Sequence, residues 1–334
     1  MSDPRLGGTA IGTANLTKRY GTITALSQLN LTVPAGTLYG FLGPNGAGKT
    51  TAIRLLMGFI KPSAGSATLL GHDAWRDGVA ARREVGYLVP PEALYTDMTG
   101  RAQLDYAAHL SGRRPLLRDQ LLDALELSQE ALGRRLGTYS KGMRQKLALT
   151  AAIQHDPRLL ILDEPTDGLD PLIQRSFEDV LRELRDRGRT VFMSSHDLSE
   201  VERICERVAV VRNGRLIAEA TIANLKRRHR RTAEVTFAGD APAGLTEVPH
   251  VTVVARRGHR IDLAVDGDVV PLLRFLATQD VVDLLLPPPR LSDIFMGFYG
   301  EDIGDATHPD HHLAGSDGDA PLEPSREPDL AARR

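Results

Sequence analysis

The sequence predicts an α/β fold: a parallel sheet carrying a helical insertion, then a smaller α+β domain and an acidic tail. Three observations predict it. A glycine-rich loop, Gly43-Pro44-Asn45-Gly46-Ala47-Gly48-Lys49-Thr50, stands between a short apolar strand and a helix. A second apolar run, Leu159-Leu160-Ile161-Leu162, ends in two acids, Asp163-Glu164. A third, Thr190-Val191-Phe192-Met193, follows a helical stretch at 174–187, which completes a β-α-β unit. Continuous apolar runs of this kind suit parallel strands covered on both faces.

Taken in order, strand-like segments at 14–16 and 29–33 come first. The strand at 38–42 then enters the glycine loop, and Ile53, Leu55, Leu56 and Met57 give the following helix an apolar face. The loop fits the pattern G-x-x-x-x-G-K-[ST]. Glycines let successive backbone N–H groups turn inward onto phosphate oxygens, and the helix N-terminus adds partial positive charge. Gly43, Pro44, Asn45, Gly46, Ala47, Gly48, Lys49, Thr50 and Thr51 are therefore the candidate phosphate-binding residues. Lys49 is expected on the β- and γ-phosphates and Thr50 on Mg²⁺. The plainer alternative is a turn without a ligand, and the strand–loop–helix context argues against it.

From about 97 to 155 the pattern becomes helical, with Leu104, Ala107, Ala108, Leu121, Leu122 and Leu125 at helical spacing. The first domain is expected over 13–225. The basic run at 226–231, Lys226-Arg227-Arg228-His229-Arg230-Arg231, reads as a solvated helix end and linker, with anionic headgroups as the sharper alternative. Strand-like segments at 233–237, 251–255 and 261–265, with a helix near 270–277, predict the small α+β domain over 232–300. Residues 301–334 are acidic and rich in Gly, Pro, Asp and Ser, the composition of a disordered tail. Its His308, His311 and His312 read as chance histidines before they read as a metal site.

Composition narrows the function classes. The chain has 334 residues, 42% hydrophobic and 25% charged, with a net charge of −2. That balance excludes a generally basic nucleic-acid binder. The single cysteine, Cys205, excludes an internal disulfide, suits a reducing compartment and reads as a small buried hydrophobe. There is no apolar run of about 18 residues, so no transmembrane helix is expected, and no secretory signal is evident at the N-terminus.

Asp163 and Glu164 stand at the C-terminal end of their strand, where open α/β sheets place ligands. Asp163 is expected to support Mg²⁺, and Glu164 to polarise the attacking water beside the γ-phosphate. The match extends further. Pro165-Thr166-Asp167-Gly168-Leu169-Asp170-Pro171 follows directly, Tyr139-Ser140-Lys141-Gly142-Met143-Arg144-Gln145-Lys146 lies upstream, and Ser194-Ser195-His196-Asp197 lies downstream. In this order the motifs resemble the ATP-binding cassette (ABC) transporter ATPases, over about 14–225.

The resemblance implies a RecA-like core with a helical subdomain, ATP and Mg²⁺ as ligands, and ATP hydrolysis. It implies that Ser140 and Gly142 bind the γ-phosphate of ATP held by a second copy, giving a homodimer. It further implies that His196 senses the γ-phosphate, that Asp170 communicates across the dimer seam, and that Tyr20 stacks on adenine. The stretch 139–146 departs from the family's commonest signature at Tyr139, Lys141 and Met143 and is closer to a drug-exporter branch, as is Arg290-Leu291-Ser292-Asp293-Ile294-Phe295. A separate membrane permease is the implied partner, docking on the helical insertion near Leu94, Tyr95, Met98 and Tyr106, with the ATPase on the cytoplasmic membrane face and no nucleic-acid partner.

One departure matters. Where the family carries a coupling glutamine or glutamate, this sequence has Pro90, followed by Pro91 and Glu92. Coupling is therefore expected to be weakened or altered, or taken over by Glu92. The alternatives to drug export are export of lipid, polysaccharide or haem, or a non-transport ABC ATPase of translation or DNA repair. A single cassette without a sustained heptad run argues against the last. A P-loop kinase has no use for the signature or the histidine turn.

Overall fold

The computed structural model describes residues 8–228, 231–287 and Leu291. The acidic tail with its three histidines, His229 and Arg230 of the basic run, and the 290–295 motif apart from Leu291 lie outside the described residues.

The chain opens with β1 (Thr9–Tyr20) and β2 (Ile23–Pro34), a hairpin, then β3 (Leu38–Leu42) and α1 (Lys49–Leu56). β4 (Ala64–Leu69), β5 (His72–Asp73), α2 (Gly78–Arg82) and β6 (Val85–Tyr87) follow. The insertion is helical, with α3 (Gly100–Ser111), α4 (Arg118–Ala124), α5 (Gln129–Gly133) and α6 (Lys141–Ile153). The core resumes with β7 (Leu159–Asp163), α7 (Pro171–Asp186), β8 (Thr190–Ser195), α8 (Leu198–Ile204), β9 (Arg207–Arg212), β10 (Arg215–Thr221) and α9 (Ile222–Arg228). Last come β11 (Arg231–Phe237), β12 (Val251–Arg257), β13 (Arg260–Val265), α10 (Val270–Leu276) and β14 (Val281–Leu285).

The central sheet runs β10-β9-β3-β8-β7-β6, with β10 antiparallel and the rest parallel. Successive side chains of a strand point to opposite faces, so each apolar run feeds two cores. Leu38, Leu42, Leu160, Leu162, Val191 and Met193 pack with the insertion helices, α7 and α8. Tyr39, Phe41, Leu159, Ile161 and Phe192 pack with α1 and the antiparallel sheet β2-β1-β4-β5. This two-sided burial is why the runs are uninterrupted in sequence. β1 extends beyond both ends of the strand-like segment expected at 14–16, because bulges along the β1–β2 ladder break the alternation that would have revealed its full length.

The third sheet, β12-β13-β11-β14, is antiparallel and covered on one face by Leu272 and Leu276 of α10. The basic run is less of a linker than its charge suggests. α9 carries it as far as Arg228 and β11 begins at Arg231. Lys226 Nζ lies 2.7 Å from Glu202 Oε1 on α8, and the Leu291 N–H donates to Glu202 Oε2 at 3.0 Å. Leu291 is fully buried in the helical-side core. Entry to and exit from the third sheet therefore meet at one carboxylate.

Candidate functional site

β3 is buried along its whole length and delivers the 43–48 loop to the C-terminal edge of the sheet. Gly48 caps α1 with φ 104°, and a Cβ there would lie 2.7 Å from the Ala25 carbonyl, so only glycine closes this turn. Lys49 is buried; its Nζ donates to the Gly43 carbonyl at 2.7 Å and lies 3.2 Å from Glu164 Oε1. Thr50 Oγ1 donates to Asp163 Oδ2 at 2.9 Å. Thus the loop and the acidic strand end, 113 residues apart, share one corner.

Ser194, at the end of β8, organises that corner. Its hydroxyl donates to Asp163 Oδ1 and accepts the Glu164 N–H at 3.1 Å. Glu164 has φ 48°, the left-handed region, which costs a non-glycine residue about 1 kcal/mol or more. The bonds from its N–H to Ser194 hold it there, and the conformation turns its carboxylate between two cations or donors. Oε1 faces Lys49, and Oε2 lies 2.8 Å from His196 Nδ1. Phosphate loop, Asp163, Glu164 and His196 are therefore joined by direct contacts within one chain. Thr50 and Asp163 supply two oxygen ligands on one side, a set that suits Mg²⁺ completed by phosphate oxygens and water.

The signature segment is built differently. Ser140 caps α6, its Oγ accepting the Met143 N–H at 3.2 Å, and the residue is exposed. Gly142 lies against the following turn: a Cβ there would approach the Gly168 carbonyl to 2.8 Å. Gln145, buried, donates to the Pro165 carbonyl at 2.6 Å, and Lys141 pairs with Asp167 at 2.7 Å. The α6 end is thereby locked to the 165–170 turn. Among the described residues, no hydrogen bond or ion pair joins Ser140 or Gly142 to the 43–51 segment of the same chain.

The ABC transporter family profile matches residues 26–167. Bacitracin transport ATP-binding protein BcrA of Bacillus licheniformis is 33% identical over 306 residues, which span 87% of this chain and 98% of BcrA. The chain belongs to the ABC transporter ATP-binding proteins. Daunorubicin resistance ATP-binding protein DrrA3 of Streptomyces coeruleorubidus is 35% identical over 311 residues, 89% of this chain and 98% of that protein. A solved ATP-binding subunit of an ABC transporter superposes with TM-score 0.61 at 29% identity, over 66% of this chain and 92% of that one. As an ABC ATPase, the protein binds and hydrolyses ATP.

The remaining residues of this ABC ATPase fall into place unevenly. Asp170 caps α7, accepting the Leu172 and Ile173 N–H groups at 3.2 and 3.0 Å. The Ile173 N–H chiefly holds its carboxyl below the usual carboxylate range. Tyr20 ends β1 with its ring exposed and the Lys18 ammonium 5.0 Å from the ring centroid. Pro90 is exposed and precedes a 3-10 turn, Pro91–Ala93. Glu92 in that turn makes no hydrogen bond or ion pair through its side chain among the described residues.

Two contributors are hidden in the sequence. Ser194 is visible only as part of the histidine turn, and its bridging role depends on two adjacent strand ends. Glu200 stands three residues after the α8 cap, Asp197, a spacing that reads as a capping pair on the surface. Instead it is buried, and its Oε2 accepts the Ser195 hydroxyl at 2.6 Å. Burial raises its pKa, with Asp197 and Glu164 adding to the rise and the Ser195 and Thr166 hydroxyls opposing it. The His196 turn is thus anchored from behind by Glu200, next to the Pro165-Thr166 turn.

Proposed function

We propose that this ABC ATPase works as a homodimer on the cytoplasmic face of a membrane and energises export of an antibiotic-like compound through a separate permease. One observation carries the dimer. The hydrolytic corner is complete to Glu164 and His196, while the exposed Ser140 cap lies on another element and, among the described residues, makes no hydrogen bond or ion pair to it. A site that needs both must draw Ser140 and Gly142 from a second copy.

In that site, the loop N–H groups and Lys49 hold the phosphates. When bound, Mg²⁺ would neutralise charge on the phosphate oxygens; Thr50 and Asp163 are the residues to hold it. Glu164 accepts hydrogen bonding from the attacking water and polarises it, a role worth about 10²–10⁴ in rate. His196 contacts the γ-phosphate, and loss of that group releases the second copy. Asp170, at the seam, would report this state to the other site, and Tyr20 would stack on adenine.

The permease is assigned to the groove between α3 and the β6 region, where Tyr95 and Tyr106 pack edge to face at 5.7 Å and both remain exposed. The exporter branch is supported by the bacitracin and daunorubicin relatives. Cargo selectivity would reside in the permease. The test is ATP-driven uptake of daunorubicin or bacitracin into inverted vesicles holding the chain with its copurified membrane subunit. Accumulation that disappears with Lys49→Ala supports the reading; no accumulation despite intact ATPase activity sinks it.

A further inference from the structure

β1 ends at Tyr20, and the ring is braced from one side. The Lys18 ammonium stands over it, 5.0 Å from the centroid, inside the distance of about 6 Å at which a cation is drawn to an aromatic face. The residue is 47% exposed and sits at the tip of a hairpin, opposite Ile23. Among the described residues its hydroxyl makes no hydrogen bond and its ring packs on no other aromatic. A ring in that position changes rotamer freely unless something holds it.

Lys18 is itself held. Its Nζ donates to the Lys61 carbonyl at 2.8 Å. Two more bonds join the same loop to the end of β1. The Arg19 N–H donates to Ser63 Oγ at 2.9 Å, and the Ser63 N–H donates to the Thr17 carbonyl at 2.8 Å. This loop lies between α1 and β4, so it ties the ring to the helix that begins at Lys49. Among the described residues Lys18 has no carboxylate partner. A neutral carbonyl anchors the ammonium without cancelling its charge, which stays available to the ring.

Resting on the reading of Tyr20 as the adenine platform, we infer that Lys18 is the residue that positions this platform, a cation on one face that fixes the ring and leaves the opposite face for the base. The ammonium acts in two ways. It occupies one side, so the base stacks from the other. It also restricts the ring before the nucleotide arrives, so less side-chain freedom is lost on binding. Through the Lys61 carbonyl, the platform is set against the helix that starts in the phosphate loop. Base and phosphates are thereby received by one framework. Among the described residues no hydrogen bond or ion pair joins Lys18 to Lys49, Glu164 or His196. Lys18 is therefore a positioning residue, and its loss should be felt in nucleotide affinity before turnover.

The test is isothermal titration of MgADP into the full-length chain and into Lys18→Met, Lys18→Arg, Tyr20→Ala and the double variant Lys18→Met/Tyr20→Ala. Lys18→Met should weaken MgADP by about three- to tenfold. Lys18→Arg, which keeps a cation for the ring, should bind within about twofold of wild type. Tyr20→Ala should weaken binding by about tenfold or more. Adding Lys18→Met to it should then change little, because the ammonium acts through the ring. In steady-state assays the Lys18→Met loss should fall on KM for ATP, with kcat moving by less than about twofold. If Tyr20→Ala weakens MgADP and Lys18→Met does not, the Lys18 inference falls and the adenine reading stands. If Tyr20→Ala binds like wild type, the adenine reading falls and takes the inference with it. An equal loss from Lys18→Met with and without the Tyr20 ring means that the ammonium acts by its charge at a distance, which also overturns the inference.

Discussion

The catalytic corner and the α6 end are both made of polar residues at element termini, yet they are built to opposite rules. In the corner, Lys49, Thr50, Asp163, Glu164, Ser194 and His196 bond to one another across two strand ends and the start of α1. At the α6 end, Ser140 satisfies its own helix and then stops, with its residue exposed. The first arrangement over-determines its side chains, even holding Glu164 in a left-handed conformation. The second leaves Ser140 exposed, with its Oγ accepting, among the described residues, only the Met143 N–H of its own helix. Preorganised groups suit chemistry performed within the chain; on the reading proposed above, the exposed helix N-terminus takes a phosphate held by a second copy.

Loosening the corner strikes this contrast hardest. Ser194→Ala removes the hydroxyl that positions both Asp163 and the Glu164 N–H. A misplacement of about 1 Å can cost about 10²-fold in rate, so kcat should fall by about 10–100-fold while stability drops by about 1 kcal/mol. Steady-state ATPase assays beside urea unfolding check both. A variant with wild-type turnover would show that the corner is not over-determined.

Glu200 probes the corner's backing with a smaller effect. Its folded-state pKa is raised. The stability it contributes is therefore fully present below the unfolded value near 4.5 and is lost as pH rises through the raised folded value. Glu200→Gln should flatten this decline, so that the variant is less destabilised than wild type on going from pH 4.5 upward. Its kcat should fall only about two- to fivefold, because the amide can still accept the Ser195 hydroxyl. Thermal melts across the pH range read the first effect; an unchanged slope would contradict the buried-carboxylate assignment.

The smallest effect is expected in the 90–92 loop. The Glu92 side chain is unbonded among the described residues, so Glu92→Ala should leave basal ATPase within about twofold of wild type, as for a surface change. A loss beyond tenfold would mean that Glu92 does replace the coupling residue missing at Pro90.

Legibility in the sequence follows the same division. The strands β3, β7 and β8 are readable because two-sided burial leaves an uninterrupted apolar run. The phosphate loop is readable because glycine at 43, 46 and 48, set before the Lys49-Thr50 pair, suits a phosphate cradle and little else. β1 reads as too short because bulges disturb its alternation. Ser194 and Glu200 are not readable as contributors, since their roles come from elements that meet only after folding. Glu200 in particular shows a surface capping pattern and occupies a buried position. The basic run misleads in its first residue, because the partner of Lys226, Glu202, lies on a different element. The charge of the groove between β6 and α3 is equally hidden: Arg82 and Arg83 stand about 30 residues before Arg113, and only the fold gathers them with His155.

That the α6 end serves another copy of the chain is tested most directly by sedimentation of Glu164→Gln, which should bind ATP and hydrolyse it very slowly. With saturating ATP this variant should sediment as a dimer and without ATP as a monomer. Adding Ser140→Arg to it should abolish the dimer while ATP binding persists. A Glu164→Gln chain that stays monomeric under saturating ATP, or a double variant that still dimerises, would contradict a site shared between two copies.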